Sequence, residues 1–507
     1  MHVENKPQGP AAVKRKAVSP TAARPTFFEV LPPSVLAAVG GLAAVWILGQ
    51  VTGHPINAVV FAILVMVTLC LVKVPVIIAL VSSAILGGLQ AGLTMEETLA
   101  GFNDNLLSGA QVGLTYVMIG ALAVALSRSG LLELFAQWVA KKTTAEERAV
   151  SQGAKWGLFG LFAGAAVLSQ NLVPVHIAFI PILLPPLLGV LNRLRIDRRA
   201  VAVVLACSMS ASYLLLPTGF GAIYLNEILL TNVNEFGGPR GLTATPDMAW
   251  KAMFWPVMGL AAGMLTAVLF SYRKPRDYPQ LPQTDQLSAA RGSAGSENAV
   301  SLHPFQLIMT LIAVAAALVF QIAFDSLLVG GMIGFLILTL AGVFRWREQD
   351  DVFTQGVLMM SHIAIIITVA SGVAGLLNAT GEIDPLIAAV GGFIGDNTAL
   401  GVFLMLFVGL FITIGFGDSF ASVPILAPIY IPLALEMGLD PLAAVCLLGA
   451  SAGLGDAGSP ASTISLGVTS GLAADGHHDH IRDTVIPTFL HCNIGMLLFA
   501  GLAVLML

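Results

Sequence analysis

The chain runs to 507 residues, of which 56% are hydrophobic and only 10% charged, and its mean hydropathy is +0.86. A soluble domain carries about 25% charged residues, so this chain cannot cover itself with polar groups and its solvent is lipid. The formal net charge of −5 argues against a nucleic-acid partner.

Residues 1–30 are polar and carry Lys6, Lys14, Arg15, Lys16 and Arg24 ahead of the first apolar run. They read as a basic cytoplasmic tail, with no secretory signal visible. A bilayer core takes roughly 20 mostly apolar residues. Spans are accordingly predicted near 34–52, 55–72, 75–92, 108–126, 156–170, 175–191, 199–216, 250–271, 304–323, 326–344, 357–377, 398–415, 422–436, 441–456 and 486–507. The apolar pieces 131–140 and 385–395 are too short to cross and read as re-entrant or interfacial hairpins.

Basic residues then assign sides. Lys141, Lys142, Arg148 and Lys155 mark one loop, Arg193, Arg195, Arg198 and Arg199 a second, Arg273, Lys274, Arg276 and Arg291 a third, and Arg345 with Arg347 a fourth. Counting spans places all four on the N-terminal side, the cytoplasmic one by the positive-inside rule. The polar stretch 272–303 is a linker that divides a first transmembrane half, 31–271 with its repeat starting near 55, from a second, 304–507.

The halves resemble each other. Residues 180–217 align without gaps to 423–460, with Pro181/Pro424, Pro185/Pro428, Asp197/Asp440, Ser208/Ser451 and Pro217/Pro460 coinciding. SRSGLLE (127–133) matches NATGEID (378–384), pairing Gly130 with Gly381 and Glu133 with Asp384. The loop after the first Pro-rich span carries four arginines, whereas its counterpart EMGLDP (436–441) carries none. The predicted fold is therefore an all-α polytopic membrane protein of two inverted-topology repeats with broken helices and re-entrant hairpins. Secondary transporters are built in this way, with the substrate site at the repeat interface.

Four polar interruptions fall at membrane depth: LSQNLVPVH (168–176), SYLLLPTGFG (212–221), IGFGDSFASVP (414–424) and GLGDAGSPASTIS (453–465). Polar backbone is tolerated there only where it is buried in protein or lines a cavity. Asp418 and Asp456 lie within two of them. An ionisable group inside a membrane segment is costly, so its default reading is functional, although Asp also favours helix N-caps. Ser419, Ser459, Ser462 and Thr463 are neutral oxygen ligands suited to a hard cation, and Gln170, Asn171 and His176 supply polar groups at the corresponding depth in the first half. Near the C-terminus, GHHDHIRDTVIPTFLHCN (476–493) crowds His477, His478, His480 and His491 beside Asp475, Asp479 and Asp483. No cysteine joins them, so a gate or pH-sensing loop, with His477, His478, His480 and Asp479, is preferred over a metal site. Asp475, Asp479, Asp483 and Arg482 are expected to form a charged network fixing that loop. The four cysteines show neither metal spacing nor a disulfide framework and read as small buried hydrophobes.

NLVPVHIAFIPILLPPLL, GLGDAGSPAST and DGHHDHIRDTVIPTFLHCNI together resemble the bacterial Na⁺/H⁺ antiporter family of NhaC-like proteins, within the ion-transporter superfamily. The resemblance covers the chain from about residue 55 onward. It implies a bacterial inner-membrane transporter, with Asp418 and Asp456 at its cation site. Where such proteins often carry a GDSFSP-type stretch, Asp418 here is followed by Ser-Phe-Ala-Ser-Val-Pro.

The expected activity is Na⁺/H⁺ antiport by alternating access. Desolvation disfavours the charged form of a carboxylate buried between half-helices, so it can hold a proton that Na⁺ displaces. The competing reading is Na⁺- or H⁺-coupled transport of an amino acid or small carboxylate. A membrane-embedded metalloenzyme ranks lower, since the chain has no HExxH, no GxSxG and no sizeable soluble domain. No cofactor is called for beyond the transported Na⁺ and H⁺, and no metal beyond Na⁺. Expected partners are membrane lipid and these ions, with a small organic solute as the alternative cargo and a homodimer as a compatible assembly.

Overall fold

The computed structural model describes residues 33–131, 134, 152–171, 180, 181, 183–279, 304–324, 326–395 and 397–507. The tail, the loop carrying Lys141, Lys142 and Arg148, the 131–140 hairpin beyond Leu131 and Leu134, His176 and most of the 272–303 linker lie outside the described residues. Among those described, secondary structure is helical throughout, without strands.

In chain order the first half holds α1 (Pro33–Val51), α2 (Ala58–Leu71), α3 (Val76–Gln90), α4 (Met95–Asp104), α5 (Leu106–Arg128), α6 (Gln152–Asn171), α7 (Leu188–Arg193) and α8 (Arg198–Leu215). A further helical run, α9, passes from Phe220–Ala222 through the π-helical Ile223–Leu230 to Thr231–Gly237, and α10 (Pro246–Thr266) follows. The second half holds α11 (Pro304–Phe324), α12 (Leu327–Leu340), α13 (Gln349–Ala379), α14 (Ile383–Ile394), α15 (Thr398–Phe416), α16 (Ser419–Glu436), α17 (Pro441–Gly453), α18 (Thr463–Leu472) and the long α19 (His480–Met506). Eight of the described helices are long and apolar enough to cross a membrane.

Most expected spans coincide with helices, but two elements correct the sequence reading. No span is predicted from sequence between 217 and 249, yet α9 lies there as a buried helix. Asn226, Glu227, Asn232 and Glu235 interrupt its hydropathy, and it packs inside protein rather than against lipid, so it needs no apolar surface all round. The amphipathic α4 is likewise absent from the sequence reading. Its start carries a capping box in which Glu97 N–H donates to Thr94 Oγ1 and Thr94 N–H donates to the Glu97 carboxylate.

Two kinds of surface sort the helices. Pro304–Phe324 is 28% buried, whereas Arg198–Leu215 and Ser419–Glu436 are each 83% buried, so α8 and α16 form the interior. Small residues let backbones approach closely in membranes, and α5 meets α13 in this way. A Cβ on Gly120 would stand 2.5 Å from Gly356 O, and one on Gly356 2.3 Å from Ala121 Cα. Similarly, α10 crosses α19 where Gly259 faces Gly495. A disulfide, Cys207–Cys492, joins α8 to α19 across 285 residues of sequence. This corrects the reading of the cysteines as unpaired hydrophobes, which holds for the free Cys70 and Cys446. Spacing carries no signal when two buried thiols are brought together only by tertiary packing.

Contacts between distant segments define two ends. At one, Arg198 pairs with Asp475, Arg195 with Asp277 and Arg276 with Asp483. At the other, Arg240 pairs with Asp384 while Asn57 Nδ2 donates to Glu382. The first end gathers the arginines of two of the basic loops, Arg195 and Arg198 from one and Arg276 from the other.

Candidate functional site

Three helix interruptions converge between these ends. The first, Leu216–Gly219, separates α8 from α9. Gly219 has φ +56, and a Cβ there would stand 2.6 Å from the carbonyl oxygens of Gln170 and Asn171, so glycine is required by backbone angle and by space. Asn171 ends α6 and plugs this gap, its Nδ2 lying 3.3, 3.2 and 2.9 Å from the carbonyl oxygens of Ser212, Leu216 and Thr218. It thereby satisfies carbonyls that the broken helix frees.

The second interruption, Gly417–Asp418, lies between α15 and α16. Gly417 has φ +70 and packs on the backbone of Ala461 and Ser462. Asp418 caps α16, its Oδ1 accepting from the N–H groups of Phe420 at 2.8 Å and Ala421 at 3.0 Å. The cap occupies only one carboxylate oxygen. The third interruption, Leu454–Ser462, separates α17 from α18. Ser459 Oγ donates to Ile414 O at 3.0 Å, fastening this break to α15, while Asn493 Oδ1 accepts from Gly455 N–H at 3.0 Å.

Asp456 sits in the third break with 5% of its surface exposed. Its Oδ2 accepts from Tyr213 at 2.7 Å and Ser419 at 3.0 Å, and its Oδ1 from Ser462 at 2.7 Å. Hydroxyls from α8, α16 and the start of α18 thus converge on one carboxylate. Such a buried charge is expensive unless its lone pairs are satisfied.

Asp418, Asp456, Gln170 and Thr463 line one cavity of about 30 Å³, walled on the other sides by Tyr116, Tyr213, Phe220 and Phe420. A single water needs roughly 10–15 Å³, so the space fits a small, largely dehydrated ion. Gln170 Oε1, Asn171 Oδ1 and Tyr116 Oη are buried and find no hydrogen-bond partner among the described residues. Two of these three side chains, Gln170 and Tyr116, line the cavity. Unpaired oxygen acceptors beside two carboxylates are the chemistry that holds a hard cation.

The structure therefore gathers Asp418, Asp456, Gln170 and Thr463 at the cavity and sets Ser419 and Ser462 on Asp456. Ser459 and Asn171 instead brace backbone. Sequence reasoning did not single out Tyr213 or Tyr116. A tyrosine in an apolar run beside a break is itself a signal, because a buried phenol seeks a polar partner.

The histidine loop lies at the Arg198–Asp475 end. His478 is buried against Thr484, with Nε2 and Oγ1 2.7 Å apart, and burial pushes it down to about 4. His480 Nε2 donates to Pro460 O at 3.0 Å, tying the loop to the third break, and its Nδ1 lies 2.7 Å from Thr469 Oγ1. His491 bonds Pro487 O and Ser271 within helices. The histidines go to separate partners, and no three His, Cys, Asp or Glu side chains converge among the described residues.

The charged network exists with other members than expected. Asp475 pairs with Arg198 and Asp483 with Arg276, while Asp479 caps α19 by accepting from the backbone N–H of Arg482. Burial alone would raise Asp475, but the hydrogen bonds and charge of Arg198 hold it below the usual carboxylate range.

Residues 206–503 match the model of the Na⁺/H⁺ antiporter family, and residues 57–143 match a second, described as a Na⁺-H⁺ antiporter family. A membrane protein of Vibrio parahaemolyticus is 43% identical over 452 residues, covering 89% of this chain and 100% of its own length. The Bacillus subtilis protein YuiF, whose name proposes amino acid transport, is 38% identical over 455 residues, 89% of this chain and 100% of its own. Among solved structures, the YdaH transporter of Alcanivorax borkumensis superposes with a TM-score of 0.51 at 17% identity, over 80% of this chain and 86% of that one. MtrF of Neisseria gonorrhoeae also gives 0.51, at 14% identity over 80% and 84%. At such identities the likeness is one of fold.

Proposed function

We propose that this chain, which belongs to the Na⁺/H⁺ antiporter family and is a multi-pass secondary transporter, exchanges Na⁺ for H⁺ at the Asp418–Asp456 cavity. The observation that carries the reading is Asp456 itself, buried in a helix break under three hydroxyl donors and sharing a small cavity with a second carboxylate. Two charged carboxylates in so small a space repel each other, and desolvation penalises both. A proton relieves the repulsion, and so does Na⁺. Occupancy by one therefore excludes the other.

In this scheme Na⁺ draws Asp418, Asp456 and the unpaired Gln170 oxygen around itself, and the hydroxyls on Asp456 turn to present their oxygens. When Na⁺ leaves, a proton restores neutrality. Access alternates as the elements carrying Asn171 and Asp418 at their tips rock against the two broken spans, the motion expected of inverted repeats. The paired arrangement of a plugging tip against a break (Asn171 in the first half, Gly417–Asp418 in the second) supports that two-repeat reading.

Proteoliposomes loaded with a pH dye test the scheme. Asp456→Asn and Asp418→Asn should each reduce Na⁺-driven proton flux at least about tenfold, a barrier change of roughly 1.4 kcal/mol. Wild-type flux in both variants would rule the carboxylates out.

A second reading is Na⁺- or H⁺-coupled transport of an amino acid. It is favoured by the 38% identity to YuiF over that protein's full length.

A further inference from the structure

A second, larger cavity of about 310 Å³, here the outer cavity, lies beside the carboxylate cavity. The two share walls. On α5, Thr115 faces the outer cavity and Tyr116 the inner; on α13, Ile367 and Ile363 do so one turn apart; on α16, Pro424 and Phe420 do likewise. Three rings of the inner cavity's wall meet, with Tyr116–Phe220 centroids 5.3 Å apart, Tyr116–Phe420 5.5 Å and Phe220–Phe420 6.5 Å. The α9 wall of the outer cavity runs on from Glu235 towards Arg240, so it lies toward the Arg240–Asp384 end.

The walls of this cavity are dipolar. Glu227 and Glu235 of α9 line it on one side, with Asn232 between them, and none of the described residues lining it is basic. On another side stands the start of α12, where Ser326, Leu327 and Leu328 reach the cavity. Ser326 Oγ already accepts from Val329 N–H, which leaves the N–H groups of Leu327 and Leu328 without an intrahelical acceptor and open to an anion. Gln111, Thr115 and Ser371 add neutral hydrogen-bonding groups from α5 and α13. Small-solute sites occupy roughly 300–1,000 Å³, so this volume suits a solute of a few heavy atoms. In the adjoining cavity, Tyr116 Oη and Gln170 Oε1 are buried and unpaired among the described residues. A solute passing the three rings would meet polar groups beyond them.

We propose that the outer cavity is a binding site for a zwitterionic α-amino acid, its ammonium held by Glu227 and Glu235 and its carboxylate by the N-terminus of α12, with Tyr116, Phe220 and Phe420 as the gate to the cation cavity. The proposal rests on the second reading above and supplies the site that reading lacks.

The test is solute-dependent thermal stabilisation of the purified full chain in detergent, using the common α-amino acids together with propylamine and propionate, which each lack one end. At least one amino acid should stabilise the protein saturably, and the two one-ended compounds should bind at least about tenfold more weakly. Glu227→Gln and Glu235→Gln should each weaken amino acid binding about tenfold. The proposal is overturned if no amino acid binds, if propylamine or propionate binds as well as the amino acid, or if both variants bind as wild type. If the glutamine variants do not fold, the comparison with propylamine and propionate decides on the wild type alone. Asp456→Asn keeps the two claims apart. Absent amino acid binding with flux still dependent on Asp456 removes only the outer site, whereas intact flux in Asp456→Asn with amino acid binding present removes only the cation scheme.

Discussion

Asp418 and Asp456 look alike in sequence, each an Asp after Gly in a helix break, yet the fold gives them different work. Asp418 spends one oxygen on the backbone of α16, while Asp456 receives three hydroxyls and no backbone donor. The difference follows from position. Asp418 stands at a helix start, whose N–H groups are unclaimed, whereas Asp456 lies inside a turn that faces Tyr213. His478 shows a comparable divergence from its neighbours. Among the loop histidines it is the one packed inside, and burial holds it at about 4 against an ordinary value near 6.5. The unfolded chain therefore takes up a proton before the folded one does. Stability is full above about pH 6.5 and falls as pH drops towards 4, by on the order of 3 kcal/mol. His478→Gln should remove that part of the acid sensitivity, measured as the thermal midpoint between pH 7 and 4. Equal acid slopes in the two proteins would mean that another group is responsible.

At the scale of elements, a broken helix is stable only if the carbonyls it frees are met. Asn171 meets those of Ser212, Leu216 and Thr218. Leaving buried polar groups unsatisfied costs about 1–3 kcal/mol, so Asn171→Ala should lower the thermal midpoint by that order. An unchanged midpoint would show that water replaces the clamp. The breaks themselves were legible in the sequence, because glycine and proline interrupt a helix and short polar side chains at membrane depth face protein or a cavity rather than lipid. The helix α9 was not. Hydropathy recognises surfaces that face lipid, and α9 faces protein and a polar cavity, so its Glu227 and Asn226 kept it out of the predicted spans. The cap of α4 was present in the sequence as Thr94 and Glu97, but in so apolar a chain a short amphipathic helix is easily taken for a connection.

At the scale of the molecule, one end is fastened by Arg198, whose guanidinium has no exposed surface and reaches Asp475 at 2.5 and 2.6 Å and Leu472 O at 3.0 Å. This joins the first broken span to the end of the second. Removing one partner of a buried ion pair costs about 3–5 kcal/mol, since the other charge is left uncompensated. Arg198→Ala should therefore destabilise the protein strongly in chemical or thermal unfolding, and a change below about 1 kcal/mol would show the pair to be effectively solvated. Sequence reasoning found the right acids in this network but assigned them Arg482, a near neighbour. The actual partners, Arg198 and Arg276, lie 277 and 207 residues away from Asp475 and Asp483. The Cys207–Cys492 link was missed for the same reason. Periodicity and breaks are local properties and can be read along the chain, whereas ion pairs and disulfides between distant segments appear only once the helices are packed.

The central claim is that Na⁺ and H⁺ compete for one pair of carboxylates. Its most direct measurement is proton release on Na⁺ binding, read with a pH electrode or dye in a weakly buffered solution of purified protein. The account predicts saturable proton release when Na⁺ is added to the wild type, and its loss in Asp456→Asn. Na⁺ binding without proton release, or release of wild-type size in Asp456→Asn, would contradict it.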